Sequence, residues 1–235
     1  MKPIARWTIG NTTQLGYESL LLSIASFRHW YDIDAIIFNN GLSENLNYVR
    51  KIYPEIPIFQ QPVDQKPAPV GVTWKLYPPR MDISRHEIFI DNDIVFTGYI
   101  PEIDYFFEND CTLLLEDVGR AYGKFDKHVP KGYNINSGIF GLPPNFNLKK
   151  YIDMYVDEWE INASGAHAAS KTFDEQGIVA FALLNHPNFV IIDNETVTDC
   201  RSVLKWAKGM HFIGINRCPY HSAFQLFKSN FKKIY

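Results

Sequence analysis

Phe89-Ile90-Asp91-Asn92-Asp93-Ile94-Val95 is the stretch on which the reading of this chain turns. An apolar run ends at Asp91 and a second begins at Ile94. In an extended chain residues i and i+2 point the same way, so the Asp91 and Asp93 carboxylates can reach one point in space. Two carboxylates that close repel and raise each other's pKa. A divalent cation removes the conflict, because hard cations such as Mg²⁺ or Mn²⁺ take oxygen ligands and sit between carboxylates and substrate phosphates. Taken alone, Asp-x-Asp is equally the mark of a solvated turn after a strand.

Upstream of this stretch, strand and helix signals alternate. Ile4 to Thr8 reads as a strand, followed by a Gly10-Asn11-Thr12-Thr13 loop. Tyr17 to Trp30 places Leu20, Leu21, Ile24 and Phe27 at helical spacing. Ala35 to Phe38 reads as a buried strand ending in the turn Asn39-Asn40-Gly41, and Ser43 as the N-cap of a second helix. Ile56 to Phe59 reads as a short strand, Gln60 to Gly71 as an exposed proline-bearing loop, and Trp74 to Ile83 as helical in part, broken or opened by Pro78-Pro79. Glu87 to Ile90 is the strand that delivers Asp91. This alternation predicts an α/β fold, a mostly parallel Rossmann-like sheet with helices on both faces. Ligands in such sheets bind beyond the carboxyl ends of the strands, which is where Asp91 lies.

Downstream the pattern is less regular. Thr112 to Leu115, Ser137 to Leu142 and Phe189 to Ile192 read as strands, and Leu148 to Trp159 and Asp174 to Asn185 as helices. Glu116-Asp117 after a strand has the residue types of a general-base pair, but a solvated turn is the simpler reading. The segment from Gly119 to Gly132 is expected to be a mobile loop, as is Gln60 to Gly71. Trp7 and Trp74 are read as packing residues.

The bulk properties exclude several classes. A length of 235 residues suits one large α/β domain, and 46% hydrophobic content suits a real core. A net charge of −3 leaves no basic footprint for nucleic acid. The 3 cysteines, Cys111, Cys200 and Cys218, share no metal-ligand spacing, and an odd number argues for a reducing compartment. The first residues are too short and polar a stretch for a signal peptide, so a cytoplasmic location is expected.

Four further pieces follow a definite order around Asp91 and Asp93. They are Lys75 upstream, Asn136-Ser137-Gly138 before a strand, Asp174-Glu175-Gln176 opening a helix, and Met210-His211-Phe212-Ile213-Gly214-Ile215-Asn216-Arg217 near the end. Asp-x-Asp, Asn-Ser-Gly, Asp/Glu-Gln and His-Phe-x-Gly-x-x-Lys in this order resemble the glycosyltransferase family 8 group, that of glycogenin and the bacterial lipopolysaccharide galactosyltransferases. The resemblance runs from about Ile4 to Arg217. Gly16 and its helix also match that group's entry to its first helix.

The resemblance implies a GT-A-type domain over residues 1–235. Residues 1–96 would form the nucleotide-binding half, 97–217 a smaller mixed sugar and acceptor half, and 218–235 a tail. It implies transfer of a hexose from a nucleoside-diphosphate sugar, a UDP-sugar by preference, to a hydroxyl acceptor on a glycan, lipid or protein, with retention. Asp91, Asp93 and His211 would ligate Mn²⁺ or Mg²⁺, the imidazole favouring Mn²⁺. Asp91 and Asn92 would lie near the donor, Thr8 and Asn11 would face base and ribose, and Lys75 would contact diphosphate or sugar. Asn136 and Ser137 would lie near donor sugar or acceptor. Gly214 would admit the diphosphate, and Arg217 stands in the place of the group's lysine. Asp174, Glu175 and Gln176 would bind sugar hydroxyls, with Gln176 beneath the anomeric carbon; whether Asp174 or Glu175 takes the acid's role is open.

Two other functions fit the residues less well. A nucleotidyltransferase of related fold would favour a glycine- and arginine-rich loop after the first strand, which Gly10 to Gly16 lacks. A non-catalytic sugar-nucleotide-binding protein has no physical need for three metal ligands. The aromatic and lysine-bearing tail from Ala223 to Lys233 suits a peripheral membrane-surface helix or a helix docked on the domain.

Overall fold

The computed structural model describes residues 1–61, 73–153, 174–199, 206–213 and 224. Among them, β1 (Ile4–Ile9), β2 (Asp34–Asn39), β3 (Ile58–Gln60), β4 (Glu87–Asp91), β6 (Thr112–Glu116), β7 (Ile135–Leu142) and β8 (Phe189–Ile192) form one sheet in the order β3-β2-β1-β4-β7-β6-β8. The β3-β2-β1-β4 half is parallel, β7 runs antiparallel to both β4 and β6, and β8 is parallel to β6. A second, three-stranded sheet joins β5 (Ile94–Phe96), β10 (Gly209–His211) and β9 (Val197–Asp199), with β10 between the other two.

Strand alternation sorts the residues of β1 and β4 onto two faces. Ala5, Trp7 and Ile9 join Ile88 and Ile90 in the core beneath helix α1 (Gln14–Trp30), where Leu20, Ile24 and Phe27 are fully buried. Arg6 and Thr8 share the opposite face with Glu87, Phe89 and Asp91, and Phe89 stacks there on Phe140 with ring centroids 4.2 Å apart. Trp7 is a packing residue, as expected, and its Nε1 donates to Ser23 Oγ at 2.9 Å. Truncating so large a buried side chain would cost about 3–5 kcal/mol.

The buried face of α1 also carries serines at helical spacing. Ser19 Oγ donates to Asn92 O at 2.6 Å, and Ser26 Oγ accepts from Phe96 N at 3.0 Å. These bonds tie the Asp91–Asp93 turn and the following strand to the helix. Each satisfies a backbone group that burial would otherwise leave unpaired at a cost of about 1–3 kcal/mol.

Several sequence expectations need correction. Ser43 is not an N-cap: a 3₁₀ turn (Ser43–Leu46) precedes α2 (Asn47–Ile52), and no side chain caps either. Of Trp74 to Ile83 only Thr73–Leu76 is helical, a 3₁₀ turn, because Pro78 and Pro79 supply no N–H to continue it. Strand β7 begins at Ile135, earlier than expected. Strands β5, β9 and β10 and the helix α3 (Pro101–Glu108) were not expected. A helix α4 runs over residues 148–153, and α5 (Asp174–Leu184) packs beside β7. The expected proline-bearing loop from residue 62, the end of the helix expected to reach Trp159, and the tail lie outside the described residues.

Candidate active site

Asp91 ends β4 on the Arg6 face of the sheet, and the tight turn through Asn92 leads directly into β5. Strand β10 pairs antiparallel with β5 so that His211 lies opposite Ile94, and Phe212 N donates to Asp93 O at 2.9 Å. That register brings a histidine from near the end of the chain beside the aspartate pair. His211 Nε2 lies 3.3 Å from Asp93 Oδ1 and 4.0 Å from Asp91 Oδ2. One ligand atom from each of Asp91, Asp93 and His211 falls within 4.8 Å of the others, a set suited to hold one metal ion.

The His211 ring rests against Gly138. A Cβ on Gly138 would stand 2.6 Å from His211 Cε1 and 2.8 Å from Asn136 Oδ1, so the glycine of Asn-Ser-Gly is required by close approach. The same stretch is bulged. Leu114 pairs with Phe140, but the next residue, Leu115, pairs with Asn136, leaving Ser137, Gly138 and Ile139 as extra residues on β7. Such bulges re-aim side chains beside sites. Here Asn136 Oδ1 accepts from Gly138 N at 2.7 Å while its Nδ2 donates to Asp117 Oδ2 at 3.0 Å.

Lys75 enters from the 3₁₀ turn and is 7% exposed. Its ammonium lies 2.8 Å from Glu175 Oε1 and 3.1 Å from Asp91 Oδ1, and donates to Ser137 O at 3.3 Å. Ser137 Oγ in turn donates to Glu175 Oε2 at 3.0 Å. Burial pushes the Lys75 pKa down, but Asp91 and Glu175 outweigh it and the ammonium is held more firmly than in water. Burial raises the Glu175 and Asp91 pKa values against the pull of Lys75. For His211 burial favours the neutral ring, yet Asp93 and then Asp91 raise its pKa. Asp91, Asp93 and Glu175 together set three carboxylates against one ammonium. Two negative charges remain, which is the charge a divalent cation neutralises.

These groups line a cleft of about 490 Å³ with Asp117, Gly119, Arg120, Asn136 and Gln176. The wall from residue 117 to 133, which includes the loop expected over Gly119 to Gly132, is bridged by the Arg120 side chain. Arg120 donates to Asp126 Oδ1 at 2.6 Å and to the carbonyls of Asp126, Val129, Pro130 and Tyr133. Gly177 lets α5 approach this wall, since a Cβ there would stand 2.5 Å from Tyr122 O. Gln176 Nε2 donates to Ala121 O at 3.0 Å, which fixes the side-chain amide with its oxygen directed away from that carbonyl.

No protein-family model matches the sequence, and neither does any curated relative. Solved structures do match. Mouse xyloside xylosyltransferase 1 in its apo form superposes with a TM-score of 0.58 at 11% identity, over 93% of this chain and 100% of that one. An active-site mutant of LgtC superposes with a TM-score of 0.57 at 10% identity, over 96% of this chain and 95% of that one.

The chain has the GT-A glycosyltransferase fold.

Within this GT-A fold the expected site residues divide into four groups. Lys75, Asp91, Asp93, Asn136, Ser137, Glu175, Gln176 and His211 all line the cleft. Thr8 pairs in register with Asp91 at the carboxyl end of β1, and Asn11 Oδ1 accepts from Leu42 N at 2.9 Å, on the rim formed with the Gly41 turn. Asn92 is corrected: its Nδ2 donates to Gly16 O at 3.2 Å, so its side chain serves α1 and not the cleft. Gly214 and Arg217 lie outside the described residues, as does the Asp174 side chain, whereas Glu175 is ion-paired in the cleft.

Asp117, for which a solvated turn was the simpler reading, lies at the cleft. It faces the GT-A cleft and accepts from Asn136. Its position at the end of β6, again the carboxyl end of a strand, was the available signal. Its neighbour Glu116 accepts from Asn194 N at 3.3 Å, so the two acids do not act as a pair.

Proposed function

We propose that this chain is a metal-dependent glycosyltransferase that moves a hexose from a UDP-sugar to a hydroxyl acceptor with retention of configuration. The chain is read as one such domain over residues 1–235. The observation that carries the proposal is the convergence of Asp91, Asp93 and His211 beside the Lys75 ammonium, in a cleft at the strand ends of a GT-A fold.

The residues fit a divalent ion, with two carboxylates, an imidazole and excess negative charge. Asp91, Asp93 and His211 would hold Mn²⁺, or Mg²⁺, and the ion would neutralise charge on the departing diphosphate. The Lys75 ammonium, preorganised by Asp91, Glu175 and Ser137, is placed to stabilise the same leaving group. One preorganised donor of this kind lowers the barrier by about 3 kcal/mol. Glu175 has one carboxylate oxygen against Lys75 and the other hydrogen-bonded by Ser137, which argues against its serving as a nucleophile. With the Gln176 amine end committed to Ala121 O, its carbonyl oxygen is the end left for a developing positive charge at the anomeric carbon. Attack from the leaving-group face, a phosphate oxygen taking the acceptor's proton, suits a cleft arranged this way. Asp117 and Asn136 stand where an acceptor hydroxyl could be oriented.

Among the described residues no helix is long and apolar enough to cross a membrane. The test is a thermal melt with Mn²⁺ and a panel of UDP- and GDP-sugars, followed by donor hydrolysis. The melting temperature should rise with a UDP-sugar and Mn²⁺ together, and Asp93→Ala should abolish the rise. Absence of any shift and of any hydrolysis across the panel would reject the proposal.

A further inference from the structure

The face of the sheet beneath the cleft carries a buried charge that the chemistry above does not use. Arg6 on β1 is fully buried, and its guanidinium carbon lies 4.6 Å from the centre of the Phe38 ring and 4.3 Å from that of Phe89. Nη1 donates to Glu87 Oε1 at 3.2 Å and to Pro78 O at 2.5 Å. Nη2 donates to Lys75 O at 3.0 Å. Glu87 is fully buried too, and its other oxygen accepts from Met81 N at 2.8 Å and lies 3.4 Å from Arg80 Nε. Arg80 in turn donates to the carbonyls of Pro143 at 2.8 Å and Asp82 at 3.1 Å. The backbone from Lys75 to Asp82 is thus cinched to β1 and β4 by two guanidinium groups.

Stability alone does not account for this arrangement. Replacing a buried ion pair by packed apolar side chains is often neutral or stabilising. What a guanidinium can do and an aliphatic side chain cannot is donate in several fixed directions at once. Leu76 anchors the segment in the core, but its main chain is in no strand ladder and no longer helix. It begins in a 3₁₀ turn of four residues and continues through Pro78 and Pro79, which have no N–H to bond. Lysine carries its charge on a flexible four-carbon stem, so the place of the ammonium depends on where the main chain starts it.

We propose that Arg6 is a positioning residue: by holding the carbonyls of Lys75 and Pro78 it sets the main chain from which the Lys75 ammonium reaches Asp91 and Glu175. The geometric part stands on the contacts above. The kinetic consequence rests on the glycosyltransferase reading.

Two variants test it in the full chain. Arg6→Lys keeps a charge for Glu87 but cannot span both carbonyls. Arg6→Met/Glu87→Gln removes the pair without leaving an orphan carboxylate. Lys75 accessibility is read by limited acetylation with acetic anhydride and peptide mass spectrometry, without metal or nucleotide, using exposed Lys149 as the internal reference. In both variants Lys75 should be acetylated about tenfold faster relative to Lys149 than in the wild type, with a cooperative melt retained. For Mn²⁺-dependent UDP-sugar hydrolysis kcat should fall about ten- to a hundredfold while KM changes less than about threefold, the scale on which misplacing one group acts. Unchanged protection of Lys75 in a folded variant would overturn the proposal. Failure of both variants to fold would overturn it as well, making Arg6 a folding residue. A wild type inactive on every nucleotide sugar would strike the reading of function and leave the acetylation result to judge Arg6.

Discussion

Gly138→Ala is the substitution whose outcome follows most directly from the geometry. A methyl group at this position would stand 2.6 Å from His211 Cε1, 2.8 Å from Asn136 Oδ1 and 3.0 Å from Ile94 Cδ1. Carbon atoms rest about 3.5–4.0 Å apart, so the imidazole must retreat by about 1 Å or the β7 backbone must move. Overpacking of this kind costs about 1–3 kcal/mol in stability. The effect on metal binding should be greater than that figure suggests, since ligand distances must be held within about 0.2 Å. A loss of 10- to 100-fold in affinity is about 1.4–2.8 kcal/mol, comparable with removing a group that orients a metal ligand. Calorimetric titration of Mn²⁺ in the presence of UDP reads the affinity, and a urea melt reads the stability. Gly119→Ala is the control for the urea melt, because a Cβ there meets no protein atom within 4 Å, and stability should stay at the wild-type value. If Gly138→Ala bound Mn²⁺ as tightly as the wild type, His211 would not be a ligand and the metal site would have to be redrawn.

Three other outcomes are expected. Lys75→Met leaves Glu175 as a buried carboxylate, and Asp91 as a partly exposed one, without their cation and should destabilise the fold by about 3 kcal/mol; adding Glu175→Gln should restore part of the loss in the same urea melts. His86 has its pKa lowered, chiefly by burial, so the unfolded chain takes up that proton first as pH falls. Its contribution is therefore present above the unfolded value of about 6.5 and is lost as pH drops through the depressed folded value. His86→Gln should flatten the fall in melting temperature over that acid interval, and an unchanged pH profile would refute the assignment. Because the His211 pKa is raised by Asp93 and a metal ligand must be deprotonated, Mn²⁺ binding should release a proton, measurable as a buffer-dependent heat.

Much of the fold was legible because it is local. Trp7, Leu20, Ile24 and Phe27 advertise a strand and a helix that pack on each other, and the turn residues after β2 end that strand where expected. The aspartate pair and the order of motifs placed the cleft. What was not legible depended on partners distant in sequence. Strands β5, β9 and β10 have three residues each, too few for a periodic signal, and exist through their pairing with one another. The ion pair of Glu175 with Lys75 joins residues a hundred positions apart, which no local pattern announces. The Arg120 bonds that bridge the wall from 117 to 133 are revealed by no composition rule. Helix α3 was the avoidable omission, since Pro101 at its first turn with Ile103 and Phe106 following is a readable start.

The union of β5 with β10 has a bearing on how the chain is made. Ribosomes deliver the amino-terminal part first, and α1, β1, β2 and β4 can assemble while later codons are still being read. The imidazole that joins the aspartates arrives only once residue 211 has left the exit tunnel, so a nascent chain displays an acidic pair long before the third member of the candidate metal site. Under the proposed metal-dependent reading, metal capture would therefore be among the last events of biogenesis, and a chain that ended before residue 209 would contain every strand of the seven-stranded sheet and the Asp91–Asp93 pair but not His211.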